Sequence, residues 1–223
     1  MTVEINIVNV SKSFHQRQVL SNVNLQVEKG MTIGIVGSNG SGKSVLFKII
    51  CGITAPDEGE VFVREQKLGQ DLDFPERVGV FINSPGFIEL YTGLKNLQFL
   101  AELNGVISND EIRKTMKLVG LEPDNKTKVK DYSLGMKQKL GIAQAIMENQ
   151  DILILDEPFN ALDYKTYQDT KELVKVLRQE GRTILMTSHN YEDLEQLCDV
   201  TYIIVDGRLS LLTDEAKNKY FSR

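Results

Sequence analysis

Apolar residues recur along this chain in two rhythms. Val23, Leu25 and Val27 alternate with polar neighbours, the period of a half-exposed strand. Unbroken apolar runs follow: MTIGIVG (31–37), which ends in glycine and leads into helical sequence from Lys43, then VFV (61–63) and VGVFI (78–82). Short runs of this kind suit strands covered on both faces. From about Leu94 to Met147 the rhythm is helical, and Ser108-Asn-Asp-Glu111 forms a capping box within that stretch. Strands and helices then alternate: DILIL (151–155), a helix over 164–179, TILMTS (183–188), a helix over 190–198, and TYIIV (201–205). Val205-Asp206-Gly207-Arg208 predicts a tight hairpin into LSLL. Apolar strands separated by helices indicate an α/β chain with a mostly parallel sheet and helices on both faces. The all-helical residues 86–149 read as a subdomain inserted into one domain over 1–223.

Composition narrows this picture only a little. With 223 residues, 41% hydrophobic and 26% charged, the chain can build a sizeable core without a disulfide or metal staple. Cys51 and Cys198 lie far apart and show no metal-type spacing, so they read as reduced core thiols. A net charge of −5 argues against a nucleic-acid partner, whose affinity rests on neutralising phosphates. The opening MTVEINIVNV lacks the basic start and apolar run of a secretory signal, and no stretch is long and apolar enough for a bilayer span. The expected location is cytoplasmic, with any membrane role carried by a partner.

Three short stretches carry chemistry. GSNGSGKS (37–44) fits the phosphate-loop pattern G-x-x-x-x-G-K-[S/T], and it sits where the pattern demands, between a strand and a helix. Gly37, Ser38, Asn39, Gly40, Ser41 and Gly42 would wrap backbone N–H groups around phosphates, with Lys43 reaching the β and γ phosphates and Ser44 ligating Mg²⁺. In ILILDEP (152–158), Asp156 ends a buried strand at the edge where ligands bind in such sheets, placed to hold Mg²⁺, and Glu157 is a candidate general base. His189, in TSH (187–189), closes another strand at that edge, although a lone histidine is more often structural. DYSLGMKQ (131–138) places Ser133 and Gly135 where an amphipathic helix begins, a second natural anion site.

In order, GSNGSGKS, YSLGMKQ, ILILDEP, FNALD (159–163) and TSH resemble the nucleotide-binding subunits of ABC (ATP-binding cassette) transporters over nearly the whole chain. The resemblance implies a P-loop NTPase fold: a mostly parallel sheet, a small antiparallel β subdomain and an inserted helical subdomain. It implies ATP and Mg²⁺ as ligands, Glu157 polarising the attacking water, and His189 on the γ phosphate. Phe14 matches the aromatic that stacks on adenine, although a packed core phenylalanine fits the sequence too. Asp163 would communicate with a second subunit's site, because such cassettes pair head to tail, as a homodimer or a heterodimer, with ATP between one phosphate loop and the other chain's Ser133 and Gly135. A separate transmembrane permease completes the assembly. Tyr132-Ser-Leu-Gly-Met departs from the common Leu-Ser-Gly-Gly-Gln form, which puts the backbone freedom at Met136 in question. Asn83 stands where the family has a glutamine that reaches Mg²⁺ or the water; it keeps the amide but is one methylene shorter. INSPGFIELYTGLKNL and YSLGMKQKLGIAQAI resemble the bacitracin-resistance and lantibiotic-immunity exporters, which implies export of a peptide antibiotic or similar amphipathic compound. Phe87, Ile88, Leu90 and Tyr91 are candidates to meet the permease, or else they are buried in the helical subdomain. The rival expectation is a soluble cassette ATPase acting on ribosomes or DNA, but the coiled coils and basic arms of that class are missing from the sequence. A kinase or GTPase would leave five ordered motifs unexplained.

Overall fold

A computed structural model describes residues 2–83, 86–160 and 162–221. The chain opens with two long strands, β1 (Val3–Phe14) and β2 (Arg17–Glu28), and then β3 (Thr32–Val36). Helix α1 (Lys43–Ile50) leads to β4 (Glu58–Val63), β5 (Gln66–Lys67) and β6 (Val78–Phe81). The inserted segment holds α2 (Gly93–Asn104), α3 (Asn109–Leu118), a short turn of 3-10 helix at Val129–Asp131, and α4 (Leu134–Ile146). Alternation then resumes with β7 (Ile152–Leu155), α5 (Tyr164–Gln179), β8 (Thr183–Thr187), α6 (Tyr191–Leu197), β9 (Val200–Val205), β10 (Arg208–Leu211) and α7 (Asp214–Phe221).

Two sheets result. A six-stranded sheet runs β10-β9-β3-β8-β7-β6, parallel except for the antiparallel β9–β10 hairpin at its edge. An antiparallel sheet runs β2-β1-β4-β5. Every residue of β3, β7 and β8 is buried, as the unbroken apolar runs predict. The two faces of the parallel sheet are filled separately. On one face α1 and the antiparallel sheet pack Ile5, Leu20, Phe47 and Ile50 against Ile33 and Ile154. On the other, Leu97, Met116, Leu140 and Ile142 of the helical insertion join Leu153, Leu155, Val174 and Leu194.

The helical stretch expected over 94–147 is divided into α2, α3 and α4, with the expected capping box at the start of α3. Gly105, at φ 64°, ends α2, and Ser108 and Glu111 close the capping box that starts α3. The N-terminal strand β1 and the last helix α7 go beyond the expected elements. Asp206 and Gly207, at φ 49° and 75°, turn β9 into β10 as the left-handed hairpin their sequence predicts.

Helix α4 lies so close to β6 that only glycine fits between them. A Cβ on Gly79 would stand 1.8 Å from the Ala145 carbonyl oxygen and 2.8 Å from Leu153 Cδ2. Gly79→Ala is therefore expected to cost at least about 1–3 kcal/mol. That corresponds to a fall in Tm of roughly 2–12 °C for a chain of this size. Urea unfolding checks it: the midpoint should fall at unchanged slope, and an unchanged midpoint would mean that α4 can give way.

Candidate active site

Strand register gathers the expected residues at one edge. Phe81, Leu155 and Met186 stand side by side in β6, β7 and β8, and Ile35 of β3 lies beside Thr187. The residues after each strand therefore emerge together at the carboxyl edge of the sheet, where open α/β sheets bind ligands. They line a cleft of about 510 Å³ that includes Asn39 to Val45, Asn83, Asp156, Glu157 and His189.

The phosphate loop needs its glycines for different reasons. Gly42, the N-cap of α1, has φ 110°, and a Cβ there would meet Leu20 Cδ2 at 2.8 Å and the Val19 carbonyl oxygen at 2.9 Å. Gly40, at φ 77°, has open space around it, so it serves conformational freedom alone. Lys43 is 7% exposed, and its Nζ donates to the Gly37 carbonyl at 2.7 Å and the Ser38 carbonyl at 3.3 Å. Burial pushes its pKa down, and the Glu157 and Asp156 charges oppose that. A buried cation held chiefly by carbonyl dipoles gains when an anion arrives. Ser41 Oγ is also buried with no hydrogen-bond partner among the described residues.

One hydroxyl bonds the Asp156 carboxylate and the Glu157 backbone. The Asp156 N–H donates to the Phe81 carbonyl at 2.7 Å, which fixes the strand end. Asp156 Oδ2 accepts from Ser44 Oγ at 2.5 Å, and Oδ1 accepts from Thr187 Oγ1 at 2.8 Å. The same Thr187 oxygen accepts from the Glu157 N–H at 2.8 Å. Glu157 adopts φ 52°, a left-handed conformation that costs a non-glycine residue about 1–3 kcal/mol. Burial raises its carboxyl pKa and Asp156 adds to that, while His189 and Lys43 pull it down. His189 Nε2 lies 3.2 Å from Glu157 Oε1 but off the line a hydrogen bond needs, and Oε1 has no hydrogen-bond partner among the described residues. The imidazole is 50% exposed, on the open side of the cleft.

Magnesium fits this donor set. Ser44 and Asp156 present adjacent hard oxygens, and Mg²⁺ that arrives with a nucleotide takes only one or two protein ligands, the rest being water and phosphate. Among the described residues no three His, Cys, Asp or Glu side chains form an all-protein metal cluster. Asn83 lies on the cleft wall at φ 53°, exposed.

Other expected residues lie elsewhere. Phe14 is 43% exposed, so it is not a core phenylalanine. It pairs with Arg17 across the β1–β2 hairpin, and Arg17 and Val19 are the residues of that hairpin on the cleft wall. Ser133 caps α4, accepting from the Met136 N–H at 3.2 Å, and Asp163 caps α5, accepting from the Thr166 N–H at 3.0 Å. Met136 sits in the first turn of α4 without a positive φ, so its backbone asks for no glycine. A Cβ on Gly135 would come within 3.5 Å of Thr166, so the two capped helix starts are neighbours on a face outside the cleft. Sequence reasoning missed Thr187, although it stands in the TSH stretch, and also Arg17, Gln138 and Asn160 on the cleft wall. Gln138, five residues beyond Ser133, donates its amide to the Asn160 carbonyl at 3.3 Å.

Comparison with known proteins places this arrangement. The family model described as ABC transporter matches residues 20–160. The ABC transporter ATP-binding protein YybJ of Bacillus subtilis is 39% identical over 205 residues, covering 92% of this chain and 94% of that protein. The bacitracin transport ATP-binding protein BcrA of Enterococcus faecalis is 37% identical, covering 90% of this chain and 66% of its own length. The lantibiotic transport ATP-binding protein SrtF of Streptococcus pyogenes is 34% identical, over 93% of this chain and 89% of its own. Among solved structures, the dimeric post-hydrolysis state of the ATP-binding cassette MJ0796 bound to ADP and Pi superposes with a TM-score of 0.82 at 26% identity, covering 94% of this chain and 99% of that one. With its phosphate loop, paired carboxylates and histidine gathered in one cleft, the chain belongs to the ABC transporter family, as an ATP-binding and ATP-hydrolysing cassette.

Proposed function

We propose that this cassette powers a membrane exporter of a peptide antibiotic or similar amphipathic compound, through a separate permease. The observation that carries the chemistry is the chain of hydrogen bonds from Ser44 through Asp156 and Thr187 to the Glu157 backbone, beside the buried Lys43. Lys43 and the loop N–H groups hold the β and γ phosphates. Ser44 and Asp156 would hold Mg²⁺, which would supply charge neutralisation at the phosphates. Glu157 takes a proton from a water attacking in line, the bond to the ADP oxygen breaks, and ADP and phosphate leave. His189 contacts the γ phosphate, Phe14 stacks on adenine, and Asn83 reaches the metal or the water through a bridging water.

Ser133, Gly135 and Asp163 lie outside the cleft and serve a second cassette's ATP in a head-to-tail pair, either two copies or this chain with a related one. MJ0796, solved as a dimer, supports that reading. Ser133→Arg tests it. The substituted chain is expected to bind ATP as the native one does, losing only about 1 kcal/mol of helix cap. It should fail to dimerise with ATP in light scattering and should show no turnover. Normal dimerisation would remove Ser133 from the interface.

Ile88, Leu90 and Tyr91 are 50%, 66% and 46% exposed, which favours a permease-docking surface for these three, whereas Phe87 packs against the core that includes the helical subdomain. Among the described residues no helix is long and apolar enough to cross a membrane, so the proposed cytoplasmic cassette reaches the membrane's inner face through that permease. The net charge of −5 and the transport names of the relatives favour this over action on ribosomes or DNA. Purification from detergent-solubilised membranes should bring a multi-span protein with the chain; ribosomes or DNA in its place would reverse the choice.

A further inference from the structure

One side chain links the two turns that flank the reaction, one directly and the other through Asp193. Tyr167 lies one helical turn after Asp163, and its ring stands edge-on to Phe159, with centroids 5.7 Å apart and planes at 64°. Phe159 is 8% exposed and lies two residues after Glu157. At its other end, the Tyr167 hydroxyl donates to Asp193 Oδ1. Asp193 is fully buried; it accepts from Lys171 Nζ at 2.8 Å and from Ser188 Oγ at 3.4 Å. Ser188 Oγ in turn accepts from the Asn190 N–H at 3.0 Å. Ser188 and Asn190 are the two chain neighbours of His189.

We infer that Tyr167 is a positioning residue that ties the turn after Glu157 to the turn carrying His189, so that the two are set together. This inference rests on the proposed contact of His189 with the γ phosphate. Packing alone does not account for the cluster. Lys171 and Asp193 are 6% and 0% exposed, and a buried ion pair is commonly replaceable by apolar residues of similar volume without loss of stability. What apolar residues do not supply is direction. The Asp193 carboxylate accepts from both the Tyr167 hydroxyl and Ser188, and Ser188 in turn holds the Asn190 N–H, so the chain of bonds reaches both residues that bracket a half-exposed imidazole. Because Tyr167 rides on the helix that starts at Asp163, a shift of that helix start moves both turns.

Tyr167→Phe is the test, since it keeps the ring against Phe159 and leaves Asp193 with Lys171 and Ser188. The expected result is a kcat for ATP lowered about tenfold with KM changed less than about twofold, and no further fall when the same substitution is made in a His189→Ala chain. Unchanged kcat, or an equal loss in both backgrounds, overturns the inference. If His189→Ala alone keeps full kcat, the role of His189 fails first, which separates that failure from failure of the coupling. Should Tyr167→Phe fold poorly, the Lys171→Met/Asp193→Leu double variant decides. Native stability with a lowered kcat supports positioning, and native stability with full kcat overturns it.

Discussion

Glu157→Gln should leave ATP bound and unhydrolysed. General-base catalysis contributes roughly 10²–10⁴-fold, so steady-state turnover should fall by about that factor. Binding should survive, because the substitution leaves untouched the proposed phosphate contacts of Lys43 and the loop backbone, and because the Glu157 main chain stays tied to Thr187. The amide also removes a carboxyl that burial already disfavours in its charged form. The cassette should therefore collect as an ATP-loaded dimer, read by size exclusion together with a filter-binding assay. A native hydrolysis rate would move the base elsewhere. The wild-type chain carries a related signature. A carboxyl pKa raised by burial keeps its proton to higher pH, so the rate should begin to fall on acidification above the usual glutamate range.

Lys43→Ala should act one step earlier, on binding itself. The ammonium is buried against the Gly37 and Ser38 carbonyls, and a charge-assisted bond to phosphate is worth about 1.5–3 kcal/mol. Loss of ATP affinity by roughly 10- to 100-fold is the expected result in isothermal titration. Folding should suffer little, since the substitution also relieves a desolvated charge whose pKa burial has lowered. Unaltered affinity would mean that the loop backbone alone carries the phosphates. The two variants thus divide the site: one keeps ATP without turnover, while the other barely holds it.

How much of this was legible depended on distance along the chain. β3, β7 and β8 announce themselves because strands buried on both faces read as unbroken apolar runs. β1 hides because its pairing slips between Ile7 and Val10 and again between Val10 and Lys12, with Asn9 left-handed, so the period-two alternation is broken. The phosphate loop is one contiguous stretch whose spacing encodes its geometry. Gln138 and Asn160 stood inside YSLGMKQ and FNALD, but spacing does not say which residues of a motif face the cleft, and Arg17, in β2, is marked by no local pattern because only tertiary packing brings it in. Thr187 stood in plain view beside His189. Its importance lies in a hydroxyl that bonds two consecutive residues, Asp156 and Glu157, from another strand, which spacing does not encode. Phe14 illustrates the opposite case: sequence offered a core or a surface role, and only its position at an exposed hairpin tip separates them.

The separation of Ser133, Gly135 and Asp163 from the cleft has a kinetic consequence. If each nucleotide is completed by another molecule, a dilute solution of the chain is a store of bound ATP and not a catalyst. Turnover per chain would climb with protein concentration, quadratically in total rate at first, until pairing saturates. A partner that holds two cassettes side by side would abolish that order of reaction and make the rate answer to the spacing it imposes.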